Sequence, residues 1–123
     1  MTPEEISDTK TIAEFMGWIK MEIDWRNSME DLKRAEIYGI NCFFKNGKFT
    51  HENGTEFKYH TSFDSIIPVA KKIYDLCEDN PRVFLFFVMY CPNIYHNNIL
   101  SVKIENIFKE CAEFIRWYKT IKN

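Results

Sequence analysis

The chain has 123 residues, a formal net charge of -2 and an isoelectric point near 5.9. At this length one hydrophobic core is expected, and 46% hydrophobic with 16% aromatic residues can build it without metal or disulfide staples. The acidic balance argues against a dedicated nucleic-acid binder, which needs clustered Lys and Arg to neutralise phosphates.

The amino-terminal Met1-Thr2-Pro3-Glu4-Glu5 is polar and lacks the basic start and apolar run of an export signal. Cys42, Cys77, Cys91 and Cys111 stand far apart with no Cys-x-x-Cys pair, so they read as apolar core residues of a cytoplasmic protein. From Asp8 the sequence predicts a short helix, with Asp8 and Thr9 as caps, Ile12, Phe15 and Met16 at helical spacing, and Gly17 as the stop. Ile19, Met21, Ile23 and Trp25 then alternate with charged residues, a period of two that predicts a strand with one face on a core. Ser28 with Asp31 resembles a cap for a second short helix, lined by Met29, Leu32 and Ile37 and ending before Gly39.

Beyond Ile40 the pairs Asn46-Gly47 and Asn53-Gly54 favour tight hairpin turns, and a hairpin or small meander is expected. A major helix should enter at Ser62 or Asp64 and run to about Leu76, burying Ile66, Ile67, Val69, Ala70, Ile73, Leu76 and Cys77. Pro68 inside it demands an early start or a local bend. Asp79-Asn80-Pro81 reads as its terminator. The run Arg82 to Tyr90, apolar on both sides, is expected to be the central strand, and it is far too short to cross a bilayer as a helix. Ile94-Tyr95-His96 reads as a return strand and Asn97-Asn98 as a turn. The last helix should follow Ser101 as cap, burying Ile104, Ile107, Phe108, Cys111, Ile115 and Tyr118 while Lys103, Glu105, Lys109, Glu110, Glu113 and Arg116 face water. Phe114, Trp117 and Tyr118 widen its apolar face enough for a subunit contact, or for covering a sheet edge. The whole reads as one α+β domain, an antiparallel sheet packed with helices in two or three layers.

Three stretches carry a resemblance: Ile12 to Trp18, Tyr59 to Asp64 with Ile67-Pro68-Val69, and Ile104-Glu105 with Glu113 to Tyr118. Together they resemble short uncharacterised phage and prophage proteins of the phage ABA sandwich type, over about half of the chain. The resemblance implies helix-sheet-helix layering and a phage or mobile-element origin. It implies no catalytic residue.

Three groups of residues are candidate sites. His60, Thr61, Ser62 and Asp64 hold a base beside hydroxyls, but hydroxyls and Asp ahead of a helix are more simply caps. His51, Glu52 and His60 could converge on a metal, although their spacing matches no zinc signature. Phe43, Phe44, Phe49, Phe57 and Tyr59, interleaved with Lys45, Lys48 and Lys58, could stack a nucleotide beside ammonium groups, or simply form a packed sheet face. The expected function is a non-enzymatic phage or prophage accessory protein of the bacterial cytoplasm. It would bind a host macromolecule or itself, for instance to blunt a defence system. The alternative is a module that sequesters a nucleotide signal, and an enzyme built on His60 ranks last.

Overall fold

The computed structural model describes residues 2–51, 54–96 and 102–122, with only the backbone of Thr55 and His96. In chain order its elements are α1 (Pro3–Phe15), β1 (Ile19–Glu22), α2 (Met29–Tyr38), β2 (Asn41–Lys45), β3 (Lys48–His51), a 3-10 turn (Thr55–Phe57), α3 (Phe63–Glu78), α4 (Pro81–Tyr90), α5 (Pro92–His96) and α6 (Ile104–Lys122). The α+β class with an antiparallel sheet is therefore as predicted. No helix among the described residues is long and apolar enough to cross a membrane.

The sheet has the order β1-β2-β3, antiparallel throughout. Lys45 pairs with Lys48 across a two-residue turn, and Asn46 and Gly47 take φ of 49° and 79°. Positive φ at both positions is what a tight hairpin with right-handed twist requires, and the Asn-Gly pair supplies it cheaply. Asn53 of the second Asn-Gly pair lies outside the described residues, while Gly54 leads into the 3-10 turn.

Neighbouring residues of β2 point to opposite faces, which makes the sheet the middle of three layers. On one face Phe44 and Phe49 meet at 5.0 Å between ring centres. There α2 covers Phe49 with the stacked ring of Tyr38 and the guanidinium of Arg34. On the other face Phe43 joins a core built with α1, α3, α4, α5 and α6. The cap of α2 is the expected one, Ser28 Oγ accepting from Asp31 N at 3.0 Å. Its expected apolar lining is not, because Met29 and Ile37 are exposed and the contact runs through Tyr38 and Arg34 instead.

Three helices, α1, α4 and α5, begin at a proline, including Pro81, which the sequence predicts as part of a terminator. Helix α1 starts at Pro3 rather than near Asp8. Thr2 accepts from Glu5 N while the Glu5 carboxylate accepts from Thr2 N, a reciprocal capping box. It closes beyond Phe15 when Gly17, at φ 97°, lets Trp18 N–H return to the Ala13 carbonyl. The larger correction concerns residues 81–90, which form helix α4 and not a central strand. Asn80 Oδ1 accepts from Arg82 N and Val83 N, and Pro81 occupies the first helical position, where no amide donor is missed. Residues 92–96 likewise form α5 and no return strand.

Helix α3 buries Ile66, Val69, Ala70, Ile73 and Cys77 as its spacing predicts and half-buries Leu76, whereas Ile67, expected in the same stripe, is exposed beside Pro68 on the outer side. Ser62 is its cap position, although the hydroxyl accepts no capping bond. Pro68 lies exposed within α3, so the Asp64 carbonyl that loses its helical donor also lies on the exposed side, where water can serve it. Helix α6 is the expected one, except that Ser101 and the Asn97-Asn98 turn fall outside the described residues and that Glu110 does not face water. Glu110 is buried and reaches α5, accepting from Asn93 N at 3.1 Å, Ile94 N at 3.2 Å and the Asn93 side-chain amide. Burial pushes its carboxyl above the ordinary carboxylate range, partly offset by those donors. Helices α1 and α6 are clasped by Arg116 at 2.5 Å from Asp8, in contact without hydrogen-bond alignment, and by Lys119 on Glu14.

Candidate interaction surface

The residues expected to hold a nucleotide do not form one surface, since Phe44 and Phe49 lie on the α2 face of the sheet and Phe43 on the other. Phe43, Phe57 and Tyr59 are 1%, 8% and 6% exposed, so none offers a ring face to a base. They pack on one another instead, Phe43 edge-on to Phe57 at 5.6 Å and Phe57 stacked on Tyr59 at 5.5 Å. Burial pushes the Tyr59 hydroxyl up to about 12. The Lys45 ammonium turns inward and donates to the Met16 carbonyl at 2.7 Å, tying β2 to the end of α1. Lys48 and Lys58 are exposed, Lys58 at φ 57° just after the 3-10 turn. The interleaved pattern is thus a packed face with two solvated lysines beside it.

The carboxy-terminal aromatics are also committed inside the chain. Phe114 is fully buried, which removes it from any subunit contact. Tyr118 stacks on it at 6.0 Å, and Trp117 stacks flat on Phe86 of α4 at 3.9 Å with the rings 4° apart. Trp117 thus covers helix α4 rather than a sheet edge. His60 packs against Phe108 of α6, and its Nδ1 is buried without a hydrogen-bond partner among the described residues. It borders a cleft of about 500 Å³ with Glu4, Glu5, Asp8, Glu105 and Lys109. His51 ends β3 and lies beside Gly39, whereas Glu52 lies outside the described residues. Among the described residues no three His, Cys, Asp or Glu side chains gather as a metal would need.

The surface that the sequence reading missed is the outer side of α4. A helix apolar all round is normally covered on every side. Here Val83 and Phe87 are buried and Phe86 is held under Trp117, yet Leu85 and Met89, one turn apart, are 59% and 61% exposed. Phe84 and Tyr90 flank them, also exposed. Phe84 leans on Tyr95 of α5, and Tyr90 stacks on Phe86 at 4.6 Å, so the rim of the patch is held by ring contacts. Beyond Phe84 a shallow groove of about 420 Å³ continues along Tyr74, Cys77 and Pro81. The arrangement can bury apolar surface of a partner against a rigid helix. Covering Leu85 and Met89 would contribute roughly 1–2 kcal/mol each at the usual value for apolar area. The signal was present in the sequence as the run 83–90, read there as a strand.

All four thiols are buried. Burial pushes Cys77 up to about 11 and Cys91 up to about 12, and raises Cys42 and Cys111, which suits apolar packing and disfavours thiolate chemistry. Comparison of the chain with protein-family models, with curated proteins and with solved structures gave no match.

Proposed function

We propose that this chain is a non-enzymatic binding protein that acts by protein–protein contact through the outer face of α4. The observation that carries this reading is the pair Leu85 and Met89, exposed on a helix without a polar residue between Val83 and Tyr90. In keeping with the resemblance drawn from Ile12 to Trp18, Tyr59 to Val69 and the α6 segment, we assign it to a phage or prophage. Its partner would be a host protein, for instance a component of a bacterial defence system.

The test compares the tagged wild-type chain with a Leu85→Glu/Met89→Glu variant in capture from bacterial lysate, followed by reconstitution with the purified captured protein. Both positions are exposed, so the variant should keep its circular dichroism and shift in stability by no more than about 0.5 kcal/mol per site. Binding should fall at least about tenfold, since charges would replace a desolvated apolar centre. Equal binding by the two proteins, or no specific partner for either, would overturn the reading.

A further inference from the structure

The first strand of the sheet is an uncovered edge. All four residues of β1 are exposed, and Ile19 and Met21 are 64% and 41% exposed on the same face as Cys42 and Phe44. Helix α2 packs on Phe49 of β3 on that face and leaves Ile19 and Met21 exposed, so the alternation predicted from the sequence yields a strand but no core contact for them. Among that alternating set only Ile23 is buried, just past the strand, and Trp25 is exposed beyond it.

The phase of the edge follows from one hydrogen bond. Ile23 N–H donates to the Ile40 carbonyl at 2.7 Å, which continues the register of Ile19 with Phe44 and Met21 with Cys42. In an antiparallel ladder alternate residues exchange main-chain bonds with a given neighbour. Residues 19, 21 and 23 therefore aim their N–H and C=O groups at β2, and Lys20 and Glu22 aim theirs at the open side. No described hydrogen bond uses the main chain of Lys20 or Glu22 on that side.

We propose that the β1 edge pairs with the β1 edge of a second copy of this chain, antiparallel and centred on Met21, so that the two sheets become one. In this register Lys20 of each copy lies opposite Glu22 of the other. The two residues exchange main-chain N–H···O=C bonds, and their side chains form two opposite-charge pairs on one face. On the other face Met21 meets Met21, with Ile19 opposite Ile23 of the second copy. The two neighbouring symmetric registers that use the same outward groups put Lys20 against Lys20, or Glu22 against Glu22, which costs energy in a directly opposed pair. The charge order of the strand thus selects one register and one occupant.

Pairing about a twofold axis uses this edge up, so assembly stops at two copies. The far edge of the sheet is different, since the His51 carbonyl is taken by Gly54 N–H at 3.0 Å. Lys20 already stands 3.7 Å from Glu14, an exposed pair that leaves its ammonium free to serve Glu22 of the second copy as well. This inference is independent of the α4 reading, because it uses another surface and either can fail alone.

The experiment is sedimentation velocity of the full chain over a range of concentrations, for the wild type, Lys20→Glu, Glu22→Lys and the double exchange Lys20→Glu/Glu22→Lys. The wild type should dimerise reversibly. Each single exchange opposes like charges twice and should weaken the dimer roughly tenfold. The double exchange restores opposite charges in the same register and should restore the dimer, an outcome that no merely destabilised chain would give. In addition, Met21→Cys should form a disulfide-linked dimer on mild oxidation, because a directly opposed non-hydrogen-bonded pair brings the two Cα atoms to about 4.5 Å, within disulfide reach. This variant also carries Cys42→Ala, because Cys42 is the partner of residue 21 in the β1-β2 register and shares its face, where it would compete for the new thiol; Cys77, Cys91 and Cys111 are buried elsewhere in the core. A wild type that stays monomeric and does not cross-link through the introduced thiol overturns the proposal. So does a dimer indifferent to the single exchanges.

Discussion

Glu110 gives the sharpest test of how the helical layer is held. Its carboxylate sits in α6 yet serves the start of α5, where Asn93 N and Ile94 N have no helical carbonyl ahead of them to bond. Glu110→Ala strands both donors, one of them buried, and a buried donor left unpaired costs about 1–3 kcal/mol. Removal of a carboxyl that is itself costly to desolvate returns part of this, so the net loss should be about 2 kcal/mol. For a chain of this size that is a fall in Tm of about 6–10 °C. Glu110→Gln keeps one acceptor oxygen but sets an amide donor towards the Asn93 amide, and should lose about 1 kcal/mol. The sign of the pH dependence follows from burial. The native carboxyl holds its proton to a higher pH than the unfolded one, so its contribution is largest below the ordinary carboxylate pKa. That contribution declines as pH rises towards the native value and is level above it. Urea denaturation at several pH values, wild type against both variants, measures all of this. An alanine variant within about 0.5 kcal/mol of wild type would refute the assignment of Glu110 as the cap of α5.

Three further outcomes are expected. Asn80→Ala should cost about 1 kcal/mol by urea unfolding, since it removes the acceptor for Arg82 N and Val83 N. Phe87→Ala should cost about 3–5 kcal/mol, because this fully buried ring touches Tyr74, Tyr95 and Phe114, and the variant should unfold at far lower urea. A thiol reagent at neutral pH should leave all four cysteines unmodified until denaturant is added, and rapid labelling of any of them in the native protein would contradict their burial.

The parts of the fold legible in the sequence are those set by local chemistry. Asn46-Gly47 dictated its hairpin, Ser28 with Asp31 its cap, and the 3.6-residue spacing in residues 63–78 and 104–122 two amphipathic helices. Residues 81–90 failed for a physical reason, since a run that is apolar on every side carries no periodicity and its length suits a strand or a short helix. The deciding signal was Asn80-Pro81, which both ends α3 and begins α4. The aromatic and lysine pattern around Phe43 to Tyr59 misled because alternation shows which residues share a face and not whether that face is covered. Exposure at Ile19, Met21, Leu85 and Met89 depends on where α2 stops and how α4 docks, tertiary facts that no local window contains.

The joints around α4 are very short. Asp79 and Asn80 separate it from α3, and Cys91 alone separates it from α5, each joint fixed on its far side by a proline with a locked backbone angle. A segment pinned this closely at both ends has little freedom left to lose. A partner docking on Leu85 and Met89 would therefore meet a surface already in its bound shape, and little of the binding energy would go into ordering the backbone. Recognition of that kind favours a partner of complementary rigid contour over one that must be moulded, and it leaves the rest of the chain undisturbed on binding.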